Sequence, residues 1–220
     1  RVQKTLRMQA PIKTAAATGR TVAFVDAAGD LALVPPTGRR SFGSVPGVTA
    51  LAFAGKTLLM GSAGKVVTAA NDLLEAKVPG PVRSISAGGG RFLVRMPRLL
   101  QVYTDAGVLV SSIRTRAQHA TLSPGGLGVV TTRGKVARLW AASTGTLLHT
   151  LPGHTSLVTD AEFSPDGREL VTVSADHTGR VWSARSGRLL HVLVGHFFRV
   201  NTGSFSPDGH WIVTSSQFTA

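Results

Sequence analysis

Three side chains in the stretch 153–182 have the chemical types that a catalytic triad uses. His154, Thr172 and Asp176 supply an imidazole, a hydroxyl and a carboxylate, which are the base, the nucleophile and the orienting acid of acyl-transfer sites. Trp182 closes the same stretch. A second interpretation is a buried structural network, because buried polar groups need hydrogen-bond partners.

The segments around these residues predict short β-strands joined by tight turns. An alternating run at Leu157–Phe163 ends in Ser-Pro-Asp-Gly, where Pro and Gly suit a chain reversal. Further strands are expected at 170–174, 180–182 and 189–193. The Gly-His pair of 153–154 recurs at 195–196, which is 42 residues later. A period of this length indicates a repeat architecture.

This stretch resembles the WD-repeat family of β-propellers. The Gly-His opening, the Ser-Pro-Asp-Gly turn, the segment from Ser174 to Thr178 and the closing tryptophan have the family's spacing. Ser183 follows Trp182, where the family usually has Asp. The resemblance implies that His154, Thr172, Asp176 and Trp182 form a structural hydrogen-bonded network, so we expect no catalytic residue among them.

The same rhythm predicts an all-β chain with about six propeller blades, of which the last is incomplete. The resemblance is clear in 153–220 and partial in 118–152, whereas 1–117 shares only the strand rhythm. We expect inner strands to end at Thr18, Ala54, Ala87, Ser123, Ser164 and Ser206. In the second unit we expect separate strands at Thr57–Met60 and Val66–Ala69.

The two ends of the sequence suggest a single propeller domain over 1–220, or a fragment of one. Arg1–Leu6 resembles the outer strands at 146–151 and 188–193 but has no blade of its own. The sixth unit stops before its third strand. We therefore expect a piece of a longer polypeptide with other domains, or completion by another chain, because an unpaired strand edge seeks partners.

Composition narrows the function classes. Apolar residues make up 43% and charged residues 16% of the 220, which is typical of a globular protein. Cysteine is absent, so disulfides and thiolate metal sites are excluded, and we expect a cytoplasmic location. No apolar run reaches the length of a membrane span. Gly88-Gly89-Gly90 lacks the Lys and Ser/Thr of a phosphate loop, and no motif predicts a metal or cofactor.

Charge is distributed unevenly along the chain. Residues 1–150 contain 19 Lys or Arg and 5 Asp or Glu, whereas 151–220 contain 5 and 6. In a propeller, the loops between blades and the second-to-third turns emerge on one face. On that face we expect a cluster of cations from units two to four: Lys65, Arg95, Arg98, Arg114, Arg116, Arg133 and Lys135.

A second candidate contact is Phe197-Phe198-Arg199, in the loop that opens the sixth unit. Aromatic residues and Arg are favoured at interfaces. The alternative is that one Phe packs between blades and the other covers the face.

Three functions remain open on the sequence. The first is a non-catalytic scaffold that binds an acidic protein through the basic face, as a recognition module of a larger protein. The second is a nucleic-acid-binding propeller, which the scarcity of aromatic residues among the cations disfavours. The third is an enzyme with its site in the central channel.

Overall fold

The computed structural model describes residues 12–18, 21–28, 30–34, 40–45, 47–54, 57–68 and 75–216. Every regular element among them is a β-strand, and the strands form antiparallel sheets. The fold class is therefore all-β, with sheets of the propeller-blade type. The chain divides into two compact units, residues 1–85 and 86–220.

The described part of residues 1–85 forms two sheets. The first sheet pairs its strands in chain order: β1 (Ile12–Thr18), β2 (Thr21–Asp26), β3 (Asp30–Val34) and β4 (Arg40–Ser44). The second sheet has three strands: β5 (Ala50–Ala54), β6 (Thr57–Thr68) and β7 (Glu75–Pro81). One buried apolar cluster contains residues of both sheets, among them Leu31, Leu51 and Leu58.

The prediction of two strands in the second unit is wrong. β6 is one continuous strand of 12 residues. Its first half pairs with β5 through Thr57–Gly61, and its second half pairs with β7 through Ala63–Val67. β7, which the sequence did not indicate, supplies the edge that holds the second half. Gly64 (φ 83°) absorbs the register shift between the two halves.

The described residues from Ser84 onwards form three complete four-stranded sheets. In the third sheet the strands are β8 (Ser84–Gly88), β9 (Arg91–Arg95), β10 (Leu99–Thr104) and β11 (Leu109–Arg114). In the fourth they are β12 (His119–Leu122), β13 (Gly128–Arg133), β14 (Val136–Ala141) and β15 (Leu147–Leu151). In the fifth they are β16 (Val158–Phe163), β17 (Glu169–Ser174), β18 (Gly179–Ser183) and β19 (Leu189–Leu193).

The sixth sheet has two strands within the described residues, β20 (Val200–Phe205) and β21 (Ile212–Ser216). The expected inner-strand ends agree with the first strand of each sheet to within one residue. The expected outer strand Arg1–Leu6 lies outside the described residues.

One turn recurs between the first and second strands of the later sheets. In the fifth sheet, the Gly167 amide donates to the Ser164 carbonyl at 2.8 Å, and the Glu169 amide donates to the Ser164 hydroxyl at 2.9 Å. Gly167 adopts a left-handed φ of 71°, which favours glycine. The turns at Ser123 and Ser206 make the equivalent bonds. This chemistry fixes the hairpin register.

The sheets of residues 86–220 pack through apolar faces. Leu139, Phe163 and Leu170 belong to a buried cluster that joins the fourth and fifth sheets. Val173 and Val200 continue the packing from the fifth sheet to the sixth. In β20, on the edge of the sixth sheet's described part, buried residues alternate with less buried ones, whereas β17 is buried at every position after Glu169 because both of its faces are covered. The packing holds the turns and loops at defined ends of the sheets.

Candidate partner-binding face and the polar network of the fifth sheet

The structure brings together all four polar residues of the 153–182 stretch. Nδ1 of His154 lies 2.9 Å from Oδ2 of Asp176, and Nε2 lies 2.9 Å from Oγ1 of Thr172. The indole N–H of Trp182 donates to the same Thr172 oxygen at 2.8 Å. Thr172 therefore donates to Nε2, and the Nδ1–H of His154 donates to Asp176.

The Asp176 carboxylate also organises the turn between β17 and β18. Oδ2 accepts the Thr155 amide at 2.9 Å, and Oδ1 accepts the Thr178 amide at 3.0 Å and the Thr178 hydroxyl at 2.6 Å. Burial alone would raise the pKa of Asp176, but these bonds and the one from His154 hold it well below its usual range. Burial lowers the pKa of His154, although Asp176 opposes this change.

The geometry is unsuited to acyl transfer. The Thr172 residue is 0% exposed, and its oxygen already has Trp182 and His154 as partners. The side chain of His154 is 1% exposed. A nucleophile must reach its substrate, and this hydroxyl does not reach the surface. The four residues therefore tie the loop before β16 to β17 and β18.

Other sheets contain parts of the same arrangement. In the fourth, the Trp140 indole donates to Thr131 at 2.9 Å. In the sixth, His196 Nε2 lies 2.7 Å from the Thr214 hydroxyl. In the third, where Tyr103 replaces the tryptophan, its hydroxyl donates to Gln101 at 2.8 Å. Gln101 lacks a counterpart in the other repeats, so the sequence pattern did not reveal it.

The expected cations of units three and four lie at one end of the third and fourth sheets. Arg98 and Lys135 lie in the second-to-third turns, Arg114 ends β11, and Arg116 lies in the connection that follows it. Arg95 and Arg133 end the second strands, opposite Leu100 and Val136. We call this set the basic end; its members are Arg95, Arg98, Arg114, Arg116, Arg133 and Lys135.

Exposure separates the members of the basic end. All are exposed except Arg95, which is partly buried and donates from Nη1 to the Ala117 carbonyl at 3.4 Å. Arg95 therefore has a structural contact as well as a charge. Lys65, the remaining expected cation, has its backbone in β6 of the other unit, and its side chain lies outside the described part of the structure.

The Phe197-Phe198-Arg199 segment lies in the loop between the fifth and sixth sheets. The exposed fractions are 88% for Phe197 and 46% for Phe198, and Arg199 is also exposed. Because successive antiparallel strands alternate direction, this loop emerges at the same end of its sheets as the loop containing His154. Neither phenylalanine is buried between sheets.

The first strands carry a titratable face that the sequence analysis missed. Nε2 of His119 lies 3.5 Å from Oδ1 of Asp160, and Glu162 accepts the Ser204 hydroxyl at 3.1 Å. Burial lowers the pKa of His119, with Asp160 opposing and Arg95 adding to the decrease. Burial also disfavours the charged form of Glu162, which raises the pKa of that carboxyl. Alternation along β12, β16 and β20 could have revealed this face.

The glycine triplet at 88–90 has a packing explanation. A Cβ on Gly88 would lie 2.5 Å from the Ser123 carbonyl oxygen, and one on Gly89 would lie 2.1 Å from the Gly125 carbonyl. The third and fourth sheets thus approach through bare backbone at this turn. Within the described residues, no group of His, Asp and Glu could hold a metal ion, and no helix is long and apolar enough to cross a membrane.

Comparison with known proteins identifies the repeats. The WD40 family model, described as "WD domain, G-beta repeat", matches residues 145–183 and 187–219. These two segments are therefore WD40 repeats, a class that generally serves as a non-enzymatic scaffold for protein–protein interaction.

Three curated relatives match this chain over 71 residues each. The chain is 41% identical over 71 residues to nuclear distribution protein PAC1 of Arthroderma benhamiae, and to that of Trichophyton verrucosum. The PAC1 protein of Arthroderma otae is 40% identical over 71 residues. Each match covers 31% of this chain and 15% of the relative. The chain thus spans a small part of the proteins that it resembles.

Proposed function

We propose that this chain, in which residues 145–183 and 187–219 are WD40 repeats, is a non-catalytic scaffold whose basic end binds an acidic surface of a protein partner. The proposal includes Phe197-Phe198-Arg199 as a second contact and the location of the chain within a larger, cytoplasmic protein. The network of His154 and Asp176 has the role of holding the fifth sheet rigid.

The distribution of charge carries this proposal. Residues 86–152 contain eight Lys or Arg but one carboxylate, Asp105. Asp105 lies in the turn after β10, so it is at the end opposite to the basic end. In the described part of the chain, the ion pairs found involve none of the five exposed cations of the basic end. Their fields therefore add and attract a negatively charged partner.

The burial of the aromatic residues of the third and fourth sheets, which carry the basic end, favours a protein partner over a nucleic acid. Phe92 and Tyr103 are 0% and 4% exposed, and their rings stack on each other with centroids 5.1 Å apart. Trp140 is bonded to Thr131 and partly buried. Single-stranded nucleic acids are bound largely by base stacking on accessible aromatic rings. None of these three rings offers such a platform.

Binding of two labelled probes at several salt concentrations tests the proposal. The probes are a polyglutamate peptide and a mixed-sequence single-stranded oligonucleotide. Changing Arg114 and Arg116 to Ser should weaken polyglutamate binding about threefold to tenfold and flatten its salt dependence. The fold should persist, because surface substitutions usually change stability by about 0.5 kcal/mol or less.

The control compares Arg116→Ser with Arg188→Ser, which removes the same single charge from the opposite end of the fifth sheet. An equal loss in the control would mean that net charge, rather than the basic end, binds the peptide. Tighter binding of the oligonucleotide than of polyglutamate at equal salt would favour the nucleic-acid alternative. Salt-independent binding of both probes would contradict both.

A further inference from the structure

An open groove of about 610 Å³ lies between the fourth and fifth sheets, at the end opposite to the basic end. Leu139 and Phe163, which are 2% and 5% exposed, form its floor. Leu127 and Leu148 line its sides and are 73% and 49% exposed. The groove is therefore concave and lined by large, accessible apolar side chains, as ligand-binding pockets usually are.

The groove exists because Gly128 has no side chain. The equivalent position, five residues after the serine that opens the turn, is Glu169 in the fifth sheet and Trp211 in the sixth. A Cβ on Gly128 would lie 3.3 Å from Cζ of Phe163 and 3.4 Å from Cδ1 of Leu139. A side chain at this position would therefore cover the apolar floor.

The rim of the groove has a net positive charge. The exposed Arg168 and Arg185 line it, together with one carboxylate, Asp166, whose Oδ2 lies 3.7 Å from Nε of Arg168 in an exposed ion pair. The Asp166 carboxylate already accepts the Ser164 hydroxyl at 2.6 Å and the Arg168 amide at 3.0 Å. A ligand complementary to this rim has negative charge on either side of an apolar group.

The neighbouring groove provides an internal comparison. It lies between the fifth and sixth sheets, has about 400 Å³, and is lined by Glu169, Asp208 and His210 among other residues. No Leu, Ile, Val, Phe or Trp lines it in the described part of the chain. The apolar floor is thus specific to the groove beside Gly128.

We propose that the groove beside Gly128 binds an extended segment of another protein, in which one or two large apolar side chains are flanked by carboxylates. The apolar side chains cover Leu139 and Phe163, and the carboxylates face Arg168 and Arg185. This site uses the opposite end of the sheets from the basic end, so it stands whether or not the basic end binds a partner.

Fluorescence anisotropy with defined peptides tests the proposal. The probe is a labelled peptide Asp-Glu-Leu-Phe-Asp-Glu, compared with a version flanked by Lys and a version with Ser-Ser in the centre. We expect saturable binding of the first peptide and at least about tenfold weaker binding of the other two. No saturable binding up to about 1 mM, or equal binding of all three, would overturn the proposal.

Variants assign the binding to the groove. Leu127→Glu places a carboxylate on the side of the groove, at a turn position where folding tolerates it, and should weaken binding about tenfold. Gly128→Leu should also weaken peptide binding, because its side chain would fill the groove. If this variant displaces Phe163 and disturbs the fold, Leu127→Glu still tests the site. Arg185→Glu should weaken binding several-fold, whereas Arg188→Glu, in the same turn but outside the groove, should not.

The basic-end variant distinguishes the two sites. The double substitution Arg114→Ser and Arg116→Ser should weaken the binding of this peptide clearly less than Leu127→Glu does. A loss there, with full binding in Leu127→Glu, would assign the peptide to the basic end and overturn the groove as its site.

Discussion

Replacement of Asp176 by Ala tests whether the polar network stabilises the fifth sheet. The carboxylate accepts four hydrogen bonds, one from the His154 ring, one from the Thr155 amide and two from Thr178. Its side chain is 6% exposed and that of His154 is 1% exposed. The substitution therefore leaves the Nδ1–H of His154 without an acceptor in a place that water reaches poorly.

The expected loss follows from which donors water can satisfy. Thr155 is exposed, so its amide can bond to solvent after the substitution. The buried His154 donor bears the main cost, and a buried donor without a partner costs about 1–3 kcal/mol. With a urea slope of about 2 kcal/mol per M, the unfolding midpoint should fall by about 0.5–1.5 M.

Urea unfolding followed by tryptophan fluorescence measures this loss; Trp182 belongs to the network, and Trp140 and Trp211 add to the signal from the neighbouring sheets. Asp166→Ala is the matched control: it is the same substitution in the same repeat, at a carboxylate that is 56% exposed. We expect a clearly smaller change for the control. A double-mutant cycle with His154→Ala should show coupling, since the two residues share a bond.

An Asp176→Ala midpoint equal to that of the control would refute the reasoning. It would mean that the carboxylate contributes no more than an exposed turn residue. Additive effects of the two substitutions in the cycle would separately show that the bond between His154 and Asp176 has no energetic weight.

Three further predictions concern acid, backbone packing and local stability. The folded-state pKa of His154 is lowered by burial, so neutral His154 stabilises the fold fully above the ordinary pKa of about 6.5. This stabilisation decreases as the pH falls below that value. Urea midpoints measured from pH 8 to 5 should therefore fall more steeply for the wild type than for His154→Gln. Gly89→Ala should destabilise the fold by more than about 2 kcal/mol in thermal unfolding, because its Cβ would lie 2.1 Å from the Gly125 backbone. The control is Gly125→Ala, whose Cβ would meet nothing within 4 Å. Hydrogen exchange should be faster in β21 than in β17, since β21 pairs with one strand and β17 with two in the described structure; equal protection would contradict this.

The repeats were predictable where local chemistry determines structure. The turns at Ser164 and Ser206 use a hydroxyl, a carboxylate and a glycine at fixed spacing, and the turn bonds of those residues go to near neighbours. The first strands β12 and β20 show alternation because one face of each is buried, whereas the second strands β13 and β17 form continuous apolar runs because both faces are buried. The resemblance to WD repeats then indicated which four residues of the 153–182 stretch would meet.

Long-range pairing was not predictable from the same signals. β6 looked like two strands because Gly61 and Gly64 interrupt its apolar pattern, but its second half pairs with β7, a segment containing Pro79 and Pro81. The glycine triplet at 88–90 looked like an ordinary turn, and only the approach of the Gly125 backbone explains it.

The sequence by itself determined that the regular elements are β-strands, where the turns lie, and that positive charge is in excess in residues 1–150. These are properties of neighbouring residues and of composition. The tertiary structure decided which charges share an end of the sheets, that Arg95 also bonds to the Ala117 carbonyl, and that a missing side chain at Gly128 opens an apolar groove. Such features depend on contacts between residues far apart in the chain. A local sequence pattern does not indicate which distant residue a given side chain will contact.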